Sequence, residues 1–223
     1  MGKDNNERII LCQPDSLKGC CLCCGLFNFQ DISIKYLSGF LNAGKNRERS
    51  YKIYSEYKDE NSVRETSSYI CPYQGFLNEG KPGCLIHPLV TGYEGQDRSF
   101  FESKICNRFT CPAHVLLTYE EKDFLIKNVD DWYIYSVAIA DPESYSFIYN
   151  YIKERFGESL DDITKGILGK ALYVHGENLS KYNGVIFSYS VPEYNINKKN
   201  FCLKYVDEAM EFVESFIRRW ANT

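Results

Sequence analysis

Seven residues near the start of the chain read Gly19-Cys20-Cys21-Leu22-Cys23-Cys24-Gly25. They contain two overlapping Cys-x-x-Cys pairs, and this spacing lets both thiolates of a pair point at one metal ion. The flanking glycines relieve backbone crowding and leave amide donors able to approach sulfur. Residues 1–30 show no helical or strand periodicity, so the pattern predicts a loop folded around a soft metal.

A second, wider group of cysteines lies between residues 71 and 114. Three of its members, Cys71, Cys84 and Cys111, stand next to a proline or a glycine, residues that fix turns. Four thiols of this kind could complete a tetrahedral site or hold an iron–sulfur cluster. The candidate metal ligands from both groups are Cys20, Cys21, Cys23, Cys24, Cys71, Cys84, Cys106 and Cys111.

Two histidines leave mixed zinc ligation open. His87 and His114 each follow a cysteine at Cys-x-x-His spacing, although either one is also typical of a local hydrogen-bonding residue. His175 has no cysteine near it in sequence and is predicted to be structural. Cys12 and Cys202 lie outside both groups, and Cys202 falls in an apolar helical pattern typical of a small buried residue.

Disulfide bonding and lipid attachment are the alternatives to metal binding. The ten cysteines form an even number, which fits disulfides. Adjacent cysteines are awkward to bridge independently, however, and Ile9-Ile10-Leu11 is too short for a signal-peptide core. We therefore expect a reducing, cytoplasmic location in which thiols bind metal. Palmitoylation of the cysteine run is disfavoured because no basic patch flanks it.

Composition and motifs exclude several partners and activities. The net charge is −4, and the charges between residues 71 and 114 cancel, so a phosphate-binding surface and a nucleic-acid partner are not expected. No apolar run approaches the roughly 18 residues that a membrane span needs, so no membrane partner is expected either. The chain has no phosphate loop, no Gly-x-Gly-x-x-Gly and no Gly-x-Ser-x-Gly, which disfavours nucleotide enzymes and serine hydrolases.

The first half of the chain is predicted to contain little regular structure. One short helix is expected to begin at Asp31 and stop at Gly44, and residues 45–68 are predicted to be a charged connector. Glycines and prolines interrupt residues 71–114 so often that only 99–105 suggests a helical turn. Such a segment cannot close a core by itself, so we expect coordinated metal to supply its cross-links.

The second half reads as helical. A capping box at Thr118-Tyr119-Glu120-Glu121, an aspartate at 130 or 131, and Asp141-Pro142 each predict a helix start. A further helix is expected from Ser159, a strand over 185–191, and a last helix over 201–220. The predicted fold class is mainly α with little β. Residues 1–114 are predicted to form an irregular, metal-stapled, cysteine-rich region that packs on a helical region over 115–223.

The cysteine segments resemble a bacterial family of cysteine-cluster proteins described as zinc- or iron-chelating. The resemblance rests on the cysteine-rich opening, a Cys-Pro followed by apolar residues, and a Gly-Cys-apolar-Ile stretch; it covers about residues 19–114. The residues concerned are Cys20-Cys21-Leu22-Cys23-Cys24-Gly25, Cys71-Pro72-Tyr73-Gln74-Gly75-Phe76, Gly83-Cys84-Leu85-Ile86-His87-Pro88, Cys106 and Cys111. The resemblance implies eight ligand candidates and a metal or iron–sulfur centre.

Three classes of function fit these observations. The first is an accessory or interaction module that holds an iron–sulfur cluster or zinc, with the cluster favoured, and that has a protein as its further partner. The second is a redox or cluster-dependent enzyme; methyl transfer belongs here, because flagellin lysine methylases bear a similar cysteine cluster. The third is a disulfide-stabilised exported domain. An exchangeable ligand on the metal would separate the second class from the first.

Overall fold

A computed structural model of the protein describes residues 9–45, 70–87, 109–157, 162–187 and 190–220. Within these ranges the fold is mainly α, as predicted, with one small antiparallel sheet of two strands. The elements are α1 (Ile34–Asn42), β1 (Gln74–Asn78), β2 (Lys81–Cys84), α2 (Ala113–Leu116), α3 (Tyr119–Asn128), α4 (Trp132–Ala140), α5 (Pro142–Phe156), α6 (Asp162–Leu179), α7 (Val191–Asn197) and α8 (Asp207–Trp220). Short 3-10 turns occupy Leu22–Cys24, Leu26–Asn28 and Lys198–Asn200.

Polar caps begin three helices of the second half, α3, α4 and α5, where the sequence predicts them. The Thr118 side chain accepts from the Glu121 amide, and the Glu121 carboxylate accepts from the Thr118 amide, so the capping box of α3 is complete. The Asp131 carboxylate accepts from the amides of Tyr133 and Ile134 at the start of α4. Asp141 caps α5, and Pro142 occupies its first turn. These caps satisfy amides that have no partner inside a helix.

The core is organised around α4 and α6. Eight of the nine residues of α4 are buried, as expected of a helix that is apolar on every side. One side of α4 packs on the turn Leu22–Cys24, and another packs on α6, which also packs on α5 and α8. One core cluster contains residues from Leu11 to Val213, so the cysteine-rich and helical regions share a single interior.

A β-hairpin forms inside the segment where no strand is predicted. Gln74 pairs with Cys84 and Gly75 with Gly83, and Gly80 adopts a positive φ of 76° in the turn. The glycines that argue against long elements are the residues that a tight hairpin turn needs. The hairpin packs on α1 through β1.

Two element predictions in the last third are wrong. The predicted strand over 185–191 is not formed in its described residues; instead Ser190 caps α7, with Pro192 in its first turn. Alternating apolar residues resemble a strand, but the serine and proline are start signals of a helix. The last helix begins at Asp207 rather than at 201, and Leu203 before it has a φ of 57°.

Several predicted segments lie outside the described residues. They are residues 46–68 of the connector predicted over 45–68, the helical turn over 99–105 and the start of α6 at Ser159. Among the helices that are described, none combines the length and the apolar character needed to cross a membrane.

Candidate metal centre

The cysteine run folds as a tight turn that closes at Gly25. The Cys24 amide donates to the Cys21 carbonyl at 3.1 Å, and the Gly25 amide donates to the Leu22 carbonyl at 2.9 Å. Gly25 has φ 82° and ψ 22°, a left-handed conformation that a residue with a side chain rarely adopts. The turn therefore presents four thiols within five residues while its apolar residue, Leu22, is buried against the core.

Buried polar contacts fix this loop to the helical region. The Tyr135 hydroxyl on α4 donates to the Leu11 carbonyl at 2.7 Å. Lys18 is only 2% exposed, and its Nζ donates to the Ile126 carbonyl at 2.5 Å and to Asp130 Oδ1 at 3.0 Å. A buried ammonium group is costly unless it is fully hydrogen-bonded, so these partners hold the loop in one position.

The hairpin approaches the loop from another side. The Cys71 amide donates to the Cys24 carbonyl at 2.8 Å. Gln74 is fully buried, and its side-chain amide donates to the carbonyls of Cys24 at 3.2 Å and Cys71 at 3.0 Å. A Cβ on Gly19 would lie 2.5 Å from the Pro82 carbonyl oxygen, so only glycine permits this approach. The backbone thereby brings Cys71 beside the cysteine run.

A first group of thiols consists of Cys21, Cys23, Cys24 and Cys71, which we call the first thiol group. The Cys24 thiol lies within hydrogen-bonding reach of the other three, and these contacts together with burial raise its pKa well above the usual value. Hydrogen bonding from Cys24 lowers the pKa of Cys23. Thiols separated by up to fifty residues in sequence therefore lie in hydrogen-bonding contact with Cys24.

A second group, which we call the second thiol group, contains Cys12, Cys20 and Cys111 and lies next to His114. The Cys20 amide donates to the Cys12 carbonyl at 2.9 Å, and the His114 amide donates to the Cys111 carbonyl at 3.0 Å. Cys12 Sγ is 3.7 Å from His114 Nε2, a hydrogen-bonding contact that joins residues 102 positions apart. Two backbone bonds and one side-chain contact thus bring these four residues together.

Burial dominates the electrostatics of the second thiol group. It raises the pKa of Cys20 well above its usual value, and charges on Cys111, Cys12 and Cys23 raise it further. Burial, followed by charges on Cys12 and Cys23, raises the pKa of Cys111 to about 12. Because each thiolate disfavours ionisation of its neighbours, several of them can be charged together only beside a cation.

The structure brings together six of the eight candidate ligands: Cys20, Cys21, Cys23, Cys24, Cys71 and Cys111. Cys84 ends β2, is half-buried and pairs with Gln74, the residue that bridges Cys24 and Cys71. Cys106 lies outside the described residues. Sequence spacing missed Cys12, because it has no Cys-x-x-Cys relation to any other cysteine and meets its neighbours only through the tertiary fold.

The described residues show thiols in contact rather than a formed coordination shell. None of the nine described cysteines forms a disulfide. Within the same ranges, no three or more His, Cys, Asp or Glu side chains converge in an arrangement that would hold a metal ion as they stand. The donor chemistry nevertheless fits a soft metal, since every side chain of the two groups offers sulfur or imidazole nitrogen.

Cys202 and His175 belong to a different network. The Cys202 thiol donates to Glu143 Oε2 at 3.2 Å, and burial with nearby Asp141 and Glu143 raises its pKa, so it is not the apolar residue expected. His175 is fully buried between Asp141 Oδ2 at 3.1 Å and the Tyr205 carbonyl at 3.0 Å. Its contacts link α5, α6 and the segment before α8, which agrees with the predicted structural role.

Comparison of the chain with models of protein families, with curated proteins and with solved structures gives no match. The resemblance of residues 19–114 to the cysteine-cluster proteins therefore stays a prediction, and the function has to be argued from the two thiol groups.

Proposed function

We propose that the protein binds a metal centre through cysteine thiolates and acts as an accessory or interaction module. The observation that carries the proposal is the first thiol group, in which Cys71 meets the Cys20–Cys24 turn inside the protein. Four thiols of this kind suit an iron–sulfur cluster or zinc. The cluster is favoured, because sulfur donors are many and histidines few.

The clustering of so many buried and half-buried thiols supports a metal rather than unrelated cysteines. A buried thiol is individually inert, but a set of neighbouring thiols becomes a strong soft-metal site once their protons leave. The loop around them contains only short 3-10 turns, so metal binding would contribute free energy to its folding. The remaining predicted ligands, Cys84 and Cys106, are proposed as further donors from the hairpin and the segment after it.

A reducing compartment fits this proposal. Thiols remain available for metal in the cytoplasm, where disulfides rarely persist, and we propose that location. The accessory role is supported by the sequence, which carries no nucleotide-binding or serine-hydrolase motif. A protein partner would then recognise the surface around the metal-bound loop.

Metal analysis of anaerobically purified protein tests the proposal. We expect bound iron with absorption near about 400 nm, as thiolate-ligated clusters show, or bound zinc in a colourless protein. Cys24→Ala removes the thiol that contacts all three others of the first thiol group and should lower the metal content at least twofold. Cys202→Ala is the matched control, because Cys202 lies in another network, and it should keep the parental metal content.

Two results would change the conclusion. Parental protein that carries less than about a tenth of an equivalent of iron or zinc, with its cysteines in disulfides, would contradict metal binding. A metal centre that exchanges a ligand with small molecules would replace the accessory role by a cluster-dependent enzyme.

A further inference from the structure

Asp141 and His175 lie in the interior where α5, α6 and the segment before α8 meet, and both are fully buried. His175 Nε2 lies 3.1 Å from Asp141 Oδ2, and its Nδ1 lies 3.0 Å from the Tyr205 carbonyl oxygen. A carbonyl and an ionised carboxylate can only accept hydrogen bonds. Both ring nitrogens must therefore carry a hydrogen if both contacts are hydrogen bonds, and a neutral imidazole has only one such hydrogen.

The surroundings of Asp141 favour its ionised form. Oδ2 accepts from the Ser144 hydroxyl at 2.6 Å, and Oδ1 accepts from the Ser144 amide at 3.3 Å. The same carboxylate caps α5, where the positive end of the helix dipole favours a negative charge. Donors of this kind stabilise a carboxylate relative to a carboxylic acid. The additional hydrogen therefore belongs to the imidazole ring rather than to Asp141.

The groups nearest to this pair leave its two charges to balance each other. Burial, and then the nearby Asp141, raise the pKa of Tyr194 on α7 and of Cys202 before α8. Both side chains therefore stay uncharged near neutral pH. Glu143 on α5 already pairs with Lys198. The charge that faces Asp141 is accordingly that of the imidazole.

The other helices that pack on α6 bring one hydroxyl and one surface ion pair. The Tyr133 hydroxyl of α4 lies 3.0 Å from the position that a Cβ on Gly176 would take. A phenol is uncharged near neutral pH, since its ordinary pKa is about 10. Glu208 of α8 pairs with Lys181 at the surface, where both side chains are exposed. Such exposed charges are screened by water and act weakly on a buried pair.

The same network holds a strained turn over residues 203–205. Leu203 has a φ of 57°, in the left-handed region that residues with a side chain rarely adopt. Its amide donates to Ser144 Oγ at 3.0 Å, and this hydroxyl donates in turn to Asp141. The Tyr205 carbonyl contacts the ring of His175. Two residues of the turn are thus fastened to one carboxylate–imidazole pair.

We propose that His175 is held as a buried imidazolium ion paired with Asp141, and that this ion pair is a proton-dependent clasp on the 203–205 turn. When the ring loses one proton to water, a single hydrogen remains for two acceptors. A bare nitrogen beside Asp141 would be repelled by the carboxylate, so the remaining hydrogen stays there and the bond to the Tyr205 carbonyl is lost. The clasp is closed while the proton is bound, and it opens as the pH rises. The inference is independent of metal binding.

Nitrogen-15 NMR of the histidine rings in the full chain tests the imidazolium ion. A protonated ring nitrogen and a bare one have well-separated shifts, and His175→Gln identifies which of the three histidines gives each signal. At about pH 7 a free imidazole is mostly neutral, because its pKa is about 6.5, whereas we expect two protonated nitrogens in His175. Asp141→Asn keeps a helix cap but removes the counter-charge, so one nitrogen should become bare. Glu143→Gln is the matched control, since Glu143 contacts Lys198 and Cys202 instead, and it should match the parent.

Amide hydrogen exchange tests the clasp itself. Protection is the exchange rate of the unfolded sequence divided by the observed rate, which removes the direct effect of pH. Between about pH 6 and about pH 9, we expect the protection of residues 203–206 to fall about threefold or more in the parent. In His175→Gln it should be low and independent of pH. The amides of α3, which are distant from the pair in the chain, should keep their protection.

The parent protein alone can overturn the inference, whether or not the variants fold. A bare ring nitrogen in His175 at about pH 7 would exclude the imidazolium ion and the clasp with it. Constant protection of residues 203–206 over the pH range, or an equal fall in α3, would contradict a clasp that acts on the turn. Two protonated nitrogens in Asp141→Asn would show that Asp141 is not the counter-ion.

Discussion

The buried carboxylate of Glu121 joins the start of α3 to α5. It is 3% exposed, and Oε2 accepts from the Thr118 amide at 2.7 Å to complete the cap of α3. Oε1 accepts from the Ser146 hydroxyl and from the Asn150 amide on α5. The same side chain therefore caps α3 and binds it to α5, and its removal takes the acceptor from the partly buried bonds of the Thr118 amide and the Ser146 hydroxyl.

We expect Glu121→Ala to lower the free energy of unfolding by about 2 to 4 kcal/mol. The neighbouring Glu120 is the matched control, because its side chain is 59% exposed and pairs with Lys153 at the surface. Glu120→Ala should cost less than about 1 kcal/mol, as surface ion pairs do. Chemical denaturation followed by circular dichroism measures both variants, and equal losses would contradict the role given to Glu121.

At the scale of elements, the contact between α4 and α6 depends on a glycine. A Cβ on Gly176 would lie 2.9 Å from Val137 Cγ2 and 3.0 Å from the Tyr133 hydroxyl, closer than side chains normally approach. Both neighbours are buried on α4, where a shift would disturb the packing of the central helix. Glycine weakens a helix by about 1 kcal/mol relative to alanine, so here close packing outweighs helix propensity.

Gly176→Ala should therefore destabilise the protein by up to about 2 kcal/mol, because overpacking costs about 1 to 3 kcal/mol and helix propensity returns about 1 kcal/mol. A Cβ on Gly169 of the same helix would meet no heavy atom of the described residues within 4 Å, apart from its own helix backbone. Gly169→Ala should stabilise by about 0.5 to 1 kcal/mol. Thermal unfolding of the two variants in parallel gives shifts of opposite sign, and shifts of the same sign would contradict the close approach.

The elements that sequence predicts well are those with local signals. The helix caps are formed by side chains that accept hydrogen bonds from amides two or three residues away, as at Thr118, Asp131 and Asp141. Because the partners are so close in the chain, these caps can be predicted from the sequence. The strand predicted over 185–191 was wrong because alternation of apolar residues does not reveal which neighbour they pack against. The hairpin of β1 and β2 was not predicted, because glycines can mark either a tight turn between strands or a break in regular structure.

Only part of the candidate site can be predicted from the sequence. The cysteines at Cys-x-x-Cys spacing can be recognised from the sequence, and most of the candidate ligands lie close together in the structure. The partition into two groups, and the place of Cys12, depend on contacts between segments about a hundred residues apart. Spacing carries no information about such contacts. Hydrogen bonds from the Tyr135 hydroxyl to the Leu11 carbonyl and from the Gln13 side chain to the Pro82 carbonyl help to hold these segments together.

At the scale of the whole molecule, we expect bound metal to stabilise the cysteine-rich region more than the helical region. We expect removal of metal by a chelator under reducing conditions to speed amide hydrogen exchange at least tenfold over residues 12–25 and 71–87. Amides of α5 and α6 should change little, because these helices pack on each other and on α4 and α8. Exchange followed by mass spectrometry measures both regions in the same sample.

Cys202→Ala provides the control for this experiment and should respond to the chelator as the parent does. A uniform rise in exchange across α6 and the cysteine loop would mean that one cooperative unit opens, contrary to the expected division. An unchanged exchange rate in the cysteine-rich loop would contradict a structural role of the metal.

The contact between Cys12 and His114 can form only after both residues have been synthesised. Ribosomes add about 5 to 20 residues per second, so the partner 102 residues later is made about 5 to 20 seconds after Cys12. Throughout that interval the early thiols lack the groups that will enclose them, and they meet whatever oxidants or competing metals the cell contains. In the folded protein the described thiols are buried or half-buried, so they are more exposed while the chain is still being made.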